Sequence, residues 1–130
     1  MNQRFWSNTL IRLAALFGAI GAGLGAHMAG AGSYALKPIH AHILVAGWLT
    51  VFAWGIFYRV VEVRAPKLAI THAITGIIGS IGLTVGMWLE FLNPLPISDT
   101  INLLVYIIGG SILLLSFILF FLLTFFLSND

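Results

Sequence analysis

The sequence contains no cysteine and very few charged residues. Of its 130 residues, six are Lys or Arg and four are Asp or Glu, so 8% are charged and the formal net charge is +2. The absence of cysteine excludes disulfides, thiolate catalysis and cysteine-ligated metal or iron–sulfur sites. Soluble domains carry about 25% charged residues, and 60% of this chain is hydrophobic. The composition therefore indicates a membrane protein, and the small net charge gives no reason to expect nucleic acid as a partner.

Four apolar runs are long enough to cross a lipid bilayer, which takes about 20 residues of α-helix. The predicted spans are residues 9–30, 39–61, 68–92 and 100–127. All four prolines lie in the short breaks between spans, where helices stop, and Asp99 is placed to cap the fourth helix. Short breaks make neighbouring helices antiparallel. The sequence predicts an all-α integral membrane protein, a single domain over residues 1–130 folded as a four-helix bundle.

The basic residues are distributed unevenly over the predicted topology. Five of the six lie near the amino terminus or around the second break: Arg4, Arg12, Arg59, Arg64 and Lys67. Only Lys37 lies in the first break, and the third break has no basic residue. Because cytoplasmic loops carry the excess of Lys and Arg, both termini are predicted to be cytoplasmic.

Small residues recur at helical spacing in the first and third spans. GxxxG motifs occur at Gly21 and Gly25 and again at Gly82 and Gly86. A further row of small residues consists of Gly18, Ala22, Ala26 and Gly30. Such rows let helix backbones approach closely. Helix packing is the interpretation we favour, and space for a flat cofactor is the alternative.

Histidines in a membrane span are costly and mark functional sites by default. In the predicted topology His27, His40 and His42 lie near the outer surface, whereas His72 lies alone near the inner one. A helix turns about 100° per residue, so His40 and His42 point about 200° apart. They are not placed to hold one metal ion together. They serve two different sites, or one serves a site and the other packs.

The segment "IHAHILVAGWLTVFAWGIFYRVV" (residues 39–61) resembles the tenth transmembrane helix of subunit I of haem–copper oxidases, which opens with an H-x-H pair. The segment "KLAITHAITGIIGSIGL" (residues 67–83) resembles the eleventh helix of that subunit. The likeness is greater still to small four-helix bacterial membrane proteins that are similar to subunit I. The oxidase subunit has twelve helices in three arcs of four, and this chain resembles one arc.

The resemblance implies haem b as the cofactor, an iron site with His42 in the place of the low-spin haem ligand, and His40 in that of the high-spin haem ligand. His72 matches a histidine that is not a ligand. The His-His pair and the H-x-x-x-Y segment that supply the copper site of the oxidases are missing, so oxygen reduction at a haem–copper centre is not expected of this chain alone. The three-arc architecture further implies a homotrimer in the bacterial inner (cytoplasmic) membrane.

Three functions remain open from the sequence. The first is a cytochrome b-like protein for electron transfer or for redox or gas chemistry, in which His42 is an axial ligand and His40 or His27, from the same or a neighbouring protomer, lies opposite. Lys37 would pair with haem propionates or extend to the membrane surface. The second is a copper site, since histidine and methionine suit Cu(I). Its candidate ligands are His27, His40, His42, Met28 and Met87. The third is a scaffold or assembly subunit whose histidines only pack.

Overall fold

The structure is a computed structural model that describes residues 1–128. It contains four long helices, which we number α1 (Gln3–Ala31), α2 (Lys37–Val60), α3 (Pro66–Leu92) and α4 (Asp99–Leu123). Each is long and apolar enough to cross a membrane. The all-α class and the four spans predicted from the sequence are confirmed. The first helix begins before the predicted residue 9, and the last ends before residue 127.

The helix ends follow from local sequence. Asn2 caps α1, its side chain accepting a hydrogen bond from the Phe5 amide at 3.1 Å. Ser98 caps α4, so the prediction that Asp99 is the cap was wrong by one residue. Asp99 instead occupies the first turn, where its negative charge interacts favourably with the helix dipole. The last turn of α3 closes on Asn93, which adopts the left-handed conformation with φ 43°.

The helices pair as two hairpins, α1 with α2 and α3 with α4. The hairpins meet mainly through α3, where Met87 packs against Phe17 of α1 and against Ile39 and Ile43 of α2. Within residues 1–128 the backbone of α4 approaches only α3. Its side chains reach α2 near the chain termini, where Trp54 meets Phe117 at a centroid distance of 5.1 Å.

Glycines set the spacing within each hairpin. A Cβ at Gly79 would lie 2.5 Å from the Leu113 backbone nitrogen, and Gly86 and Gly82 lie against the backbone of α4 in the same way. A Cβ at Gly21 would lie 2.5 Å from the Leu44 side chain. The packing interpretation of the GxxxG motifs is confirmed. In the other predicted row, by contrast, Gly18 packs against Trp48 while the remaining three residues are exposed.

The chain termini and the α2–α3 connection are joined at one end of the molecule. The Gln3 side chain donates to the Val61 carbonyl at 2.7 Å and accepts from the Val63 amide at 3.2 Å. The Arg64 amide donates to the Phe126 carbonyl at 2.9 Å. Residues 61–64 therefore form hydrogen bonds with both ends of the described chain. We call the end of the molecule where these residues meet the terminal end. The end that carries the α1–α2 and α3–α4 connections is the distal end.

Candidate functional site

The middle of α2 is wound as a π-helix from Ile43 to Thr50, directly after the histidine pair. The Thr50 hydroxyl donates to the Val45 carbonyl, five residues earlier, at 2.9 Å. π-helical turns inside α-helices occur often at functional sites. The π winding changes the rotation of the two ends of α2 about the helix axis. It therefore sets where the histidines at one end point relative to Trp54 and Tyr58 at the other. Nothing in the sequence predicted it, since its residues are ordinary helix and strand formers.

His40 faces α1. Its Nδ1 lies 2.8 Å from the Gly21 carbonyl oxygen, and its ring covers Gly25, where a Cβ would meet Cε1 at 2.9 Å. A carbonyl only accepts hydrogen bonds, so Nδ1 carries the proton and donates. The ring is half-buried between the two helices. His40 therefore has a defined packing role in the α1–α2 hairpin.

His42 lies on the other side of α2 and is exposed. Its Nδ1 donates to the Pro38 carbonyl, one turn earlier on the same helix, at 2.9 Å. In the neutral ring this leaves the lone pair on Nε2 free. The side chain borders a shallow recess of about 200 Å³, with Ala41, Val45 and Ala46 as its other walls. The opposed directions predicted for the two histidines are confirmed.

Within residues 1–128, no side-chain hydrogen bond joins His27 or Lys37 to this pair. His27 is exposed on α1, and Lys37 is exposed as the first residue of α2. Within residues 1–128 no three side chains of the His, Asp or Glu type lie together as a group able to hold a metal ion. Both methionines of the copper hypothesis are buried in the packing, Met28 at 8% and Met87 at 1% exposure. The proposed copper ligands are thus dispersed over several surfaces.

The most buried histidine is one that sequence analysis set aside. His72 is fully buried near the terminal end, and its Nδ1 lies 2.6 Å from the Tyr58 hydroxyl, which donates to the Ala69 carbonyl at 3.0 Å. Because the hydroxyl has one proton, His72 Nδ1 donates to Tyr58 in this arrangement. The indole of Trp54 meets the imidazole edge-on at a centroid distance of 4.6 Å. His72 thus belongs to an aromatic core that locks α3 to α2.

One atom of that core has no partner: His72 Nε2 is buried without a hydrogen bond within the described chain. A sequence signal for this cluster existed, since a tyrosine and a histidine stand on either side of one short break, each within two turns of it. Their alignment across the hairpin boundary depends on the winding of α2, and that could not be read from the sequence.

A long open groove lies between α1 and α3. One part, of about 290 Å³, is lined by Leu13, Leu16, Phe17, Ile20, Ile81, Thr84 and Val85. A second part, of about 250 Å³, continues from Ile20 and Val85 to Trp88. Thr84 provides the only side-chain hydroxyl, and it donates to the Ser80 carbonyl at 2.9 Å. The groove has no charged or imidazole group in its lining and therefore no evident ligand for a cofactor.

The fold and the exposed apolar helices define an all-helical chain with the proportions of a multi-pass membrane protein. No protein-family model, no curated protein and no solved structure matches it.

Proposed function

We propose that this chain is a multi-pass protein of the bacterial cytoplasmic membrane with both termini in the cytoplasm. Four membrane-length helices support insertion. The terminal end gathers residues 1–3, 61–64 and 126–128 on one side, which is also where Arg4, Arg64 and Lys67 lie. The excess of basic residues at that end favours the cytoplasmic orientation. The bacterial assignment rests on the resemblance to small bacterial proteins.

The topology is tested with reporter fusions. A periplasmic reporter inserted after Lys37 or after Pro94 is expected to be active, and the same reporter within residues 61–65 is expected to be inactive. The reversed pattern would contradict the orientation. Release of the protein by alkaline carbonate would contradict membrane insertion itself.

Within the membrane, the proposed cofactor is haem b with His42 as an axial ligand. The observation that carries this proposal is the anchored ring of His42, whose Nδ1 donates to the Pro38 carbonyl. Histidines that bind metals through Nε2 commonly donate their other nitrogen to a backbone carbonyl, which fixes the ring and raises its basicity. The alanines beside it leave room for a flat group against α2.

The recess at His42 fits one half of a haem site. Its volume of about 200 Å³ is below the roughly 300–1,000 Å³ typical of sites that enclose a ligand. The site would therefore be completed by a second copy of the chain, in line with the homotrimer that the resemblance implies. His27 is the candidate for the opposite axial position, because it is exposed whereas His40 is packed against Gly25. Lys37, at the start of α2, would pair with a propionate.

Haem iron held by two imidazoles supplies one-electron transfer, and with a single imidazole it keeps a position open for a gas molecule. The residues of this chain hold and shield that group. Pro38 fixes the His42 ring, and the apolar surface of α2 around Val45 keeps water away. Electron transfer is the activity proposed first, and redox or gas chemistry follows if His27 does not bind.

The experiment is to purify the protein and record its absorption spectrum and metal content. A Soret band with about one haem or less per chain supports the proposal. Colourless protein with stoichiometric copper would replace haem by copper. Colourless protein without metal would leave a scaffold or assembly subunit as the function.

A further inference from the structure

Three arginines lie on one face of the α1–α2 hairpin at its terminal end. Arg4 and Arg12 belong to α1 and Arg59 to α2, and all three are exposed. Arg59 donates a hydrogen bond to the Asn8 side chain. Asn8 lies four residues from Arg4 and four from Arg12, which places all three on one side of α1. Asn8 therefore lies between Arg4 and Arg12 on the surface of α1 and is bonded to Arg59 of α2.

The direction of the side chains brings Arg12 toward Arg59. Side chains on a helix lean toward its amino terminus, so Arg12 leans toward Asn8 and toward the terminal end. Arg12 lies nine residues beyond Gln3, about 13 Å along the axis. In a membrane such a residue extends its guanidinium toward the headgroup layer. Arg59 approaches the same point from α2, as its bond to Asn8 shows.

The hairpin supplies no negative charge to balance these groups. Neither α1 nor α2 contains an Asp or Glu. Of the acidic residues in the described chain, Glu90 and Asp99 lie at the distal end, and Glu62 is exposed in the α2–α3 connection, three residues after Arg59. Arg12 and Arg59 beside Asn8, with Arg4 one turn nearer the terminal end, therefore form a basic patch that is complementary to an anion, and Arg matches the oxygens of a phosphate group in bidentate geometry.

The surface next to the arginines is apolar and smooth. Ala15 and Ala19 are exposed on α1 directly below Arg12. A hydrocarbon chain can lie over these two alanines.

We propose that Arg4, Arg12 and Arg59 bind the phosphate of an anionic phospholipid in the leaflet at the terminal end, with one acyl chain over Ala15 and Ala19. This site rests on the proposed insertion in a membrane and is independent of haem. It extends only along the terminal half of α1, so it leaves the region around His27 and His42 free for a second copy of the chain.

The test compares lipid retention and thermal unfolding of delipidated protein in detergent. The probes are phosphatidylglycerol, phosphatidylcholine and inorganic phosphate, and retained lipid is counted by native mass spectrometry. We expect phosphatidylglycerol to bind and to raise the melting temperature more than the other two probes. Arg12→Gln and Arg59→Gln are each expected to weaken its binding about fivefold, the effect of one basic residue at a membrane surface.

Arg64→Gln and Lys67→Gln are the matched controls, because they remove the same charge at the same end outside the cluster. Arg64 instead lies at the α2–α3 connection, where its side chain donates to Ser128 at 3.3 Å. Both controls are expected to bind phosphatidylglycerol as the unmodified chain does. Equal loss in all four variants, or equal binding of phosphatidylcholine, would overturn the site. Equal stabilisation by inorganic phosphate would show an anion site that does not select lipid.

Folding of each variant is checked by helical circular dichroism, and Arg12→Lys keeps the test valid if Arg12→Gln does not fold. Lysine keeps the charge but not the planar fork, so we expect it to restore most of the binding. Failure of membrane insertion is recognised separately, by carbonate extraction of the unmodified chain.

Discussion

The histidines at the two ends of the molecule differ in burial and in hydrogen bonding. At the terminal end His72 is fully buried and hydrogen-bonded to Tyr58 inside an aromatic core. At the distal end His42 is exposed, its Nδ1 bonded to the carbonyl of Pro38 on its own helix. A histidine that serves packing is enclosed by the chain that carries it. A histidine that is oriented by its own backbone and left uncovered has its Nε2 available to a group outside the chain.

The strongest test of this contrast is His42→Ala. If haem b is the cofactor, as we propose, we expect the purified variant to lose it entirely, or to keep a residual high-spin form, because the anchored Nε2 is gone. Absorption spectra of the oxidised and reduced protein measure the effect. When both proteins are compared without cofactor, the melting temperature should change little, since His42 is exposed. Retention of an unaltered low-spin spectrum would contradict the difference between the two ends.

The difference between the two ends also depends on close packing of the helices within each hairpin. Gly86→Val would place a branched side chain against the Tyr106 backbone of α4. We expect a loss of about 1–3 kcal/mol or more from overpacking, seen as a lower melting temperature in detergent. Gly23→Ala is the control, because a Cβ there meets nothing within 4 Å. If Gly86→Val melts like the unmodified chain, the two helices are not in close contact.

The enclosed histidine is tested by Tyr58→Phe. This change removes the hydroxyl that bonds both His72 and Ala69 and leaves His72 Nδ1 unpaired, whereas the Ala69 carbonyl keeps its bond within α3. An unpaired buried group costs about 1–3 kcal/mol, so the melting temperature should fall. The spectrum of the proposed haem should stay unchanged, because the cluster lies at the other end of the molecule. A changed spectrum at unchanged stability would reverse the roles that we assign to the two ends.

The smallest effect is expected from Gly23→Ala considered by itself. Gly23 is an exposed helical residue with open space around it. Replacing glycine by alanine inside a helix stabilises by roughly 0.5–1 kcal/mol. The melting temperature should rise slightly without any change in the spectrum. A fall would show that another chain packs closely on α1 at this level, and would mark that face as part of the contact between copies.

Sequence reasoning identified what depends on composition and local spacing. The four spans follow from apolar length, and the opposed directions of His40 and His42 follow from the helical repeat. Pro38 and Pro66, predicted to lie in the breaks as stop signals, instead lie in the first turns of α2 and α3, where proline is tolerated because the first helical amides have no partner within the helix.

Sequence reasoning did not identify what depends on contacts between helices. The burial of His72 is decided by Tyr58 and Trp54 on another helix. The predicted cap at Asp99 differs from the observed cap at Ser98 by one residue. Helix boundaries are not defined to that accuracy.

The π-helical segment Ile43–Thr50 has a consequence for insertions and deletions. Adding one residue to it, or removing one while the winding stays unchanged, would rotate one end of α2 relative to the other by roughly a quarter turn. Either His40 would leave Gly25, or Trp54 and Tyr58 would leave His72. We therefore expect α2 to accept changes of residue type in this segment far more readily than any change in its length.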